Sequence, residues 1–445
     1  MRSVLYCSWL SMLIFIGLII FIPYKVSLLG FKASDAWLIL CLIFQYAKGY
    51  NARFEFNGRK FLKNFGIVMA FIAIIGTIFQ AWHDNLYINP AYFSEFYRFF
   101  RYFLLFKFVE NILMHSRQKD LQQFFLSFTG LGVLVIFLSF LEFYSVGSMH
   151  EIILKFYFIV TDQTFEEYLE EFGRLLGVLG NSNTTGIFIT STLVYPIISL
   201  VVIKEKWWLR ALSVLYIFLA LYVIVVMTSS RTSIIICILL FIFALILLQL
   251  KSFFRFAVVT GLSLIIAMII LVRYNPAEIL PDRVVYFFQG KNTRGENVGL
   301  IESMGRNELW NDRIYTFQKS AHPFASLVGM GYTKKYKDYS DNGLLSSFFN
   351  GGLIGLILRL TLYFYVLRIG LLRSFMTYRM TDNSFPLILG LISLVFILWE
   401  LTADMMEHIK IGQIFYVIFC ASVIYGAMLK NRVHAQVRRP VEVAI

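Results

Sequence analysis

Charge is what this chain has least of. Only 15% of its 445 residues are Asp, Glu, Lys or Arg, against about 25% in an ordinary soluble domain. A chain this poor in charge, 58% hydrophobic and with a mean hydropathy of +0.70, cannot cover a globule with polar surface. It needs lipid as solvent. Cysteine is scarce too. Cys7, Cys41, Cys237 and Cys420 all fall within apolar runs and show no C-x-x-C spacing, so neither a disulfide nor a metal site is expected. There is no Asp-rich pair of the kind that holds a divalent ion. No small-residue cleavage site follows the first apolar run, which therefore reads as a first span and not a cleaved signal. The formal charge of +13 is no sign of nucleic acid, because in a membrane protein excess Lys and Arg gather in cytoplasmic loops.

What the chain has is apolar length. We expect an all-α polytopic membrane protein with about 12 transmembrane helices. Their centres lie near Ile14, Leu40, Ile72, Leu105, Val135, Ile189, Phe218, Leu240, Ile265, Ile357, Val395 and Ile418. Residues 1–273 hold spans one to nine. Residues 274–341 form one long external, periplasmic loop with short helices, and 342–445 hold the last three spans and a basic cytoplasmic tail. Lys and Arg favour alternate loops, which puts Lys48–Lys63 and both termini inside and 274–341 outside.

Several charges fall where a span should not carry them. Arg98 and Arg101 begin the fourth span at its outer end. Lys107 and Glu110 lie three apart on one helix face, which suits a structural pair. Glu400 and Asp404 sit late in the eleventh span. Intramembrane charge is costly and marks a functional candidate by default.

Three polar stretches face outward. The first runs from Gly173 to Gly186 and carries Asn181 and Asn183. Its glycines suit either simple helix packing or a broken helix whose N-terminal N–H groups meet an anion. The second is Thr228-Ser-Ser-Arg231-Thr-Ser233. An arginine in a short outer turn opposes the charge bias and points to an anion that holds it. The third is the long loop, with Arg306 and Trp310 four apart, Arg313 close by, and Asp341-Asn342 at its end. Arginine's planar fork suits phosphate. Together these residues suit a lipid-linked phosphate, with arginines and not a metal neutralising its charge.

The order of these elements resembles the O-antigen polymerase (Wzy) and O-antigen ligase (WaaL) superfamily of bacterial membrane glycosyltransferases. Gly180-Asn-Ser-Asn183 is similar to the family's G-N-x-N, Ser230-Arg231 to its S-R turn, and Arg306-x-x-x-Trp310 to its R-x3-W. Pro323 with Gly329-Met-Gly331 is similar to its P…G-x-G, and Asp341-Asn342 with Gly352 and Gly355 to its closing H-N…G-x-x-G. Asp341 stands where ligases carry histidine, which favours the polymerase branch. His322, before Pro323, reads as structural.

The resemblance implies an inner-membrane enzyme that acts on undecaprenyl-diphosphate-linked oligosaccharide at the periplasmic or outer face, without a cofactor. Its catalytic residues would be Asp341, Arg231 and Arg306. Asn181, Asn183, Arg313, Arg101 and Asn342 would bind substrate. A chain-length regulator and a flippase are the implied partners, beside membrane lipid. Asp341 would accept the acceptor's proton or orient its hydroxyl; the alternative is a cap on the tenth span. Two other functions stay open: a ligase moving finished glycan to lipid or protein, and a lipid-oligosaccharide transporter, against which the long loop and the lack of an internal repeat speak.

Overall fold

The computed structural model describes residues 8–23, 32–49, 54–85, 93–115, 118–157, 175–201, 206–248, 285, 307–331, 342–381, 383–401 and 411–438. Among the described residues every regular element is helical. In chain order these are α1 (Trp9–Phe21), α2 (Ala33–Ala47), α3 (Arg59–His83), α4 (Phe93–His115), α5 (Gln118–Phe143), α6 (Met149–Tyr157), α7 (Ser182–Val201) and α8 (Trp207–Tyr222). There follow α9 (Arg231–Leu248), α10 (Asn307–Ser320), α11 (Ala325–Val328), α12 (Gly343–Tyr365), α13 (Arg373–Thr381), α14 (Phe385–Glu400) and α15 (Ile411–Arg438). The last turns of α8 and α12 widen into π-helix at Val223–Met227 and Val366–Leu372.

Every expected span centre except Ile265 falls inside one of these helices. Ile265 lies outside the described residues, as do Asp404, Arg306 and Asp341. Among the described residues five helices are long and apolar enough to cross a membrane: Arg59–His83, Asp120–Phe143, Trp207–Met227, Gly343–Arg379 and Ile411–Leu429. Four shorter apolar helices accompany them. The protein is a helical membrane protein. Within 274–341, the stretch expected to form an external loop, residues 307–331 contain the short helices α10 and α11. The chain forms two compact units, one of Met1–Ile19, Ser27–Phe124 and Leu309–Ile445, the other of Ile20–Val26 and Phe125–Glu308.

In the first unit α3 lies along α4, and the fit is close because Gly66 leaves no side chain between them. A Cβ there would sit 2.2 Å from the Phe99 carbonyl oxygen. Tyr102 stacks on Tyr416 of α15 at 4.5 Å, and the Tyr416 hydroxyl donates to the Leu62 carbonyl at 2.6 Å. Among the described residues of this unit, buried charge is paired. Glu110 receives Arg59 through Nε at 2.6 Å and Nη2 at 3.1 Å, and Lys107 at 3.0 Å. The expected Lys107–Glu110 pair is therefore present, with Arg59 as its stronger member. Pairing of this kind is what makes such charges tolerable away from water.

The N-terminal part of α12 folds back on itself. At Gly352 the backbone is non-helical (φ 61°, ψ −161°), a conformation that needs glycine. Arg359 Nη1 reaches the Gly343 carbonyl at 2.5 Å, although the two are 16 residues apart. In a straight helix that separation spans about 24 Å. Gly343–Gly351 is thus a half-helix lying antiparallel to the limb that begins at Leu353. The loop after α10 wraps the tip of this hairpin. Met330 N–H donates to the Phe349 carbonyl at 2.7 Å, and a Cβ on Gly329 would meet Asn350 backbone at 2.3 Å. Irregular backbone at membrane depth survives where protein buries it.

In the second unit α7 is buried on nearly every face. Its hydroxyls are satisfied locally: Thr190 donates to the Gly186 carbonyl at 2.8 Å and Ser191 to that of Phe188 at 2.7 Å. Small hydroxyl residues let neighbouring helices approach without stranding polar atoms. Tyr195 stacks on Phe125 at 5.8 Å, and Thr192 hydrogen-bonds Tyr216 of α8.

Candidate functional site

The second unit carries two helix starts side by side. Asn181 caps α7: its Oδ1 accepts from Asn183 N–H at 2.8 Å, and its carbonyl accepts from Thr185 N–H at 3.0 Å. Asn caps because its short acceptor satisfies an N–H that the helix leaves open. Ser230 caps α9 in the same manner. Its carbonyl accepts from Ile234 N–H at 3.0 Å and its hydroxyl lies 3.4 Å from Ser233 N. The first turns of the two helices touch, since a Cβ on Gly186 would come 2.5 Å from Ser233 Oγ and 3.3 Å from Thr228 Oγ1. Ser229 is held at φ 46°, an uncommon conformation for a non-glycine residue. It swings the chain from the π-turn into α9 and leaves Arg231 as that helix's first residue, only 7% exposed. Two positive helix ends and a buried guanidinium concentrate cationic potential in one corner.

The turn that leads into Asn181 is pinned from below. Glu142, 2% exposed at the end of α5, accepts Leu176 N–H at 2.8 Å and Gly177 N–H at 2.9 Å. Thr185 Oγ1 donates to the Leu176 carbonyl at 2.9 Å. Leu175 N–H donates to the Met227 carbonyl at 3.1 Å, so this turn also ties α7 to the segment that delivers Arg231.

In the first unit the half-helix Gly343–Gly351 starts at a side-chain cap. The cap of this half-helix is Asn342: its Oδ1 accepts from Leu344 N–H at 2.9 Å and Leu345 N–H at 3.0 Å. Its amide donates to the Leu401 carbonyl at 2.8 Å. Asn342, expected to bind substrate, therefore spends its amide on structure, and it fills the capping role weighed for its neighbour Asp341. Glu400 is likewise engaged, accepting Arg359 Nη1 at 2.6 Å. Arg101, also expected to bind substrate, is buried and paired with Asp35 at 2.9 Å, with its guanidinium 4.9 Å from the Tyr97 ring centre. Arg313 is half-buried on α10.

His322 has the structural role that its place before Pro323 suggests. Its Nδ1 accepts from Phe324 N–H at 3.1 Å, which leaves Nε2 to donate to the Gly329 carbonyl at 2.9 Å. Burial is the main reason its pKa lies below the usual histidine value, with the bond to Gly329 opposing. Gln80 of α3 completes the brace, donating to the Ser320 carbonyl at 2.9 Å and accepting His322 N–H at 3.2 Å.

Of the expected site residues, the structure brings Asn181, Asn183 and Arg231 into one corner of the second unit. It places Arg101, Arg313 and Asn342 in the first. Arg306 and Asp341 lie outside the described residues. Sequence reasoning missed Glu142 and Arg359. Both are charges inside apolar runs, the same signal that singled out Glu110 and Glu400. Compared with known proteins, the chain matches no family model and no curated sequence.

Proposed function

We propose that the protein is a polymerase of lipid-linked oligosaccharide repeat units, working in the bacterial inner membrane with twelve spans and its long loop on the periplasmic side. The observation that carries this reading is the corner of the second unit, where Arg231 opens one helix beside the capped start of another. Such a corner suits a diphosphate, which wants fixed donors and positive potential in a water-poor place.

In the reaction, the acceptor hydroxyl of one lipid-linked unit attacks the anomeric carbon of another. The new glycosidic C–O bond forms as the C–O bond to undecaprenyl diphosphate breaks, and the electron pair leaves on the diphosphate. Arg231 and Arg306 stabilise that developing charge. Asp341 takes the hydroxyl proton, or orients the hydroxyl for attack. The resemblance supports both assignments, and Asn342 is the residue that caps the half-helix next to Asp341.

The test is reconstitution. Purified protein in lipid vesicles, given undecaprenyl-diphosphate-linked repeat units alone, is expected to yield a ladder of polymer and free undecaprenyl diphosphate. Product only when a separate lipid or protein acceptor is added would make it a ligase. Movement of intact lipid-linked units across the bilayer with no release of undecaprenyl diphosphate would make it a transporter.

A further inference from the structure

We propose that Glu142 is the positioning residue of the diphosphate corner, a role that rests on the polymerase reading. A carboxylate at 2% exposure among apolar helices is an expensive way to hold a turn. It has one geometric advantage. Its two oxygens accept two consecutive backbone N–H groups, Leu176 at 2.8 Å and Gly177 at 2.9 Å, which fixes both the place and the tilt of that peptide. A single-oxygen acceptor fixes only a point.

The turn so fixed is joined at both ends to the corner. Downstream it runs through Gly177 and Gly180, both at positive φ, into the Asn181 cap of α7. Upstream, Leu175 is bonded to the carbonyl of Met227, the last residue of the π segment before Thr228-Ser-Ser-Arg231. Thr185 returns from the first turn of α7 to the Leu176 carbonyl. One carboxylate thus sets the register between the two helix starts without lying on either helix. Leaving-group stabilisation depends on donors that are already in place, so a shift of the α7 start relative to Arg231 should weaken the diphosphate contact more than it weakens the fold.

The experiment uses the full-length protein in vesicles, with lipid-linked repeat units as substrate and inorganic pyrophosphate as competing anion. Glu142→Gln keeps the size and one acceptor oxygen but sets an NH2 group against a backbone N–H. It is expected to reach the membrane in normal amount and to raise the inhibition constant of pyrophosphate on the order of 10- to 100-fold, the scale of a small misplacement. Combined with Asn181→Ala it should cost little more than the worse single change, since both act on the same helix start. Thr185→Val removes the second tie on the turn without touching a charge, and should shift pyrophosphate inhibition in the same direction by a smaller factor. Normal pyrophosphate inhibition in Glu142→Gln at normal abundance overturns the proposal. If Glu142→Gln fails to accumulate, wild-type inhibition of Thr185→Val overturns it instead. Wild-type protein that makes no polymer from lipid-linked units sinks the polymerase reading, and the proposal with it; polymer made by wild type and by Glu142→Gln with equal pyrophosphate sensitivity sinks the proposal alone.

Discussion

Replacing Arg359 by methionine tests the fold-back of α12 directly. Arg359 is 0% exposed, and its Nη1 holds the Gly343 carbonyl at 2.5 Å and Glu400 Oε1 at 2.6 Å. Methionine keeps most of the volume and removes the charge. Glu400, itself 0% exposed, then keeps a carboxylate in an apolar place with its cation gone. Breaking one side of a buried pair costs about 3–5 kcal/mol, a large part of the roughly 5–15 kcal/mol that holds a typical domain together. The variant should therefore melt well below wild type in lipid nanodiscs and accumulate poorly. Removing both charges is a different perturbation. Arg359→Met with Glu400→Leu leaves no stranded ion, and exchanging a buried pair for apolar residues is often neutral or better. The double variant should recover most of the lost melting temperature while losing the tether on Gly343. A single variant that melts like wild type, or a double variant no better than the single, refutes the reasoning. Either result would mean that water or another group serves Glu400.

Arg231→Ala and Arg306→Ala are each expected to lower polymer formation about 10²–10³-fold at normal membrane abundance, with lysine rescuing only part because it lacks the fork; normal polymer from both would reduce them to lipid anchors. Asp341→Asn should lose most polymerisation and leave single repeat units on lipid, since asparagine cannot take a proton; wild-type banding from that variant removes Asp341 from the catalytic set. In a background without the native cysteines, an impermeant thiol reagent on intact cells should label Gly299→Cys and spare Asn57→Cys, and the reverse pattern would invert the assigned topology.

The apolar runs were legible because hydropathy sums over a window, and most of the expected span centres lie in helices. The same summing hid the break at Gly352. A window over Asn350-Gly-Gly-Leu-Ile-Gly355 reports composition and carries no direction, so a hairpin and a glycine-rich span look alike. The Lys107–Glu110 pair was legible because three residues on a helix share a face. Arg101 was not, because its partner Asp35 lies on α2, far upstream, and nothing local marks it. Asp341 and Asn342 are both good caps by residue type, and only the bonds to Leu344 and Leu345 separate them. Glu142 escaped notice because it stands two residues before the turn at Tyr144, where an acid reads as the end of a span. Its partners, the N–H groups of the Leu176 turn, leave no mark in a residue pattern.

The pairing of Arg359 with Glu400 also has a consequence in time. The two are 41 residues apart, and Arg359 is made first. At about 5–20 residues per second, the ribosome delivers the carboxylate roughly 2–8 s after the guanidinium. For those seconds the arginine lacks the Glu400 carboxylate, and its helix settles in hydrocarbon at higher cost. The nine-residue limb Gly343–Gly351 is too short to cross a bilayer alone, so it gives the helix no second hold. Insertion of α12 is thereby coupled to the arrival of α14, and the pair makes these two helices one unit of membrane integration during synthesis.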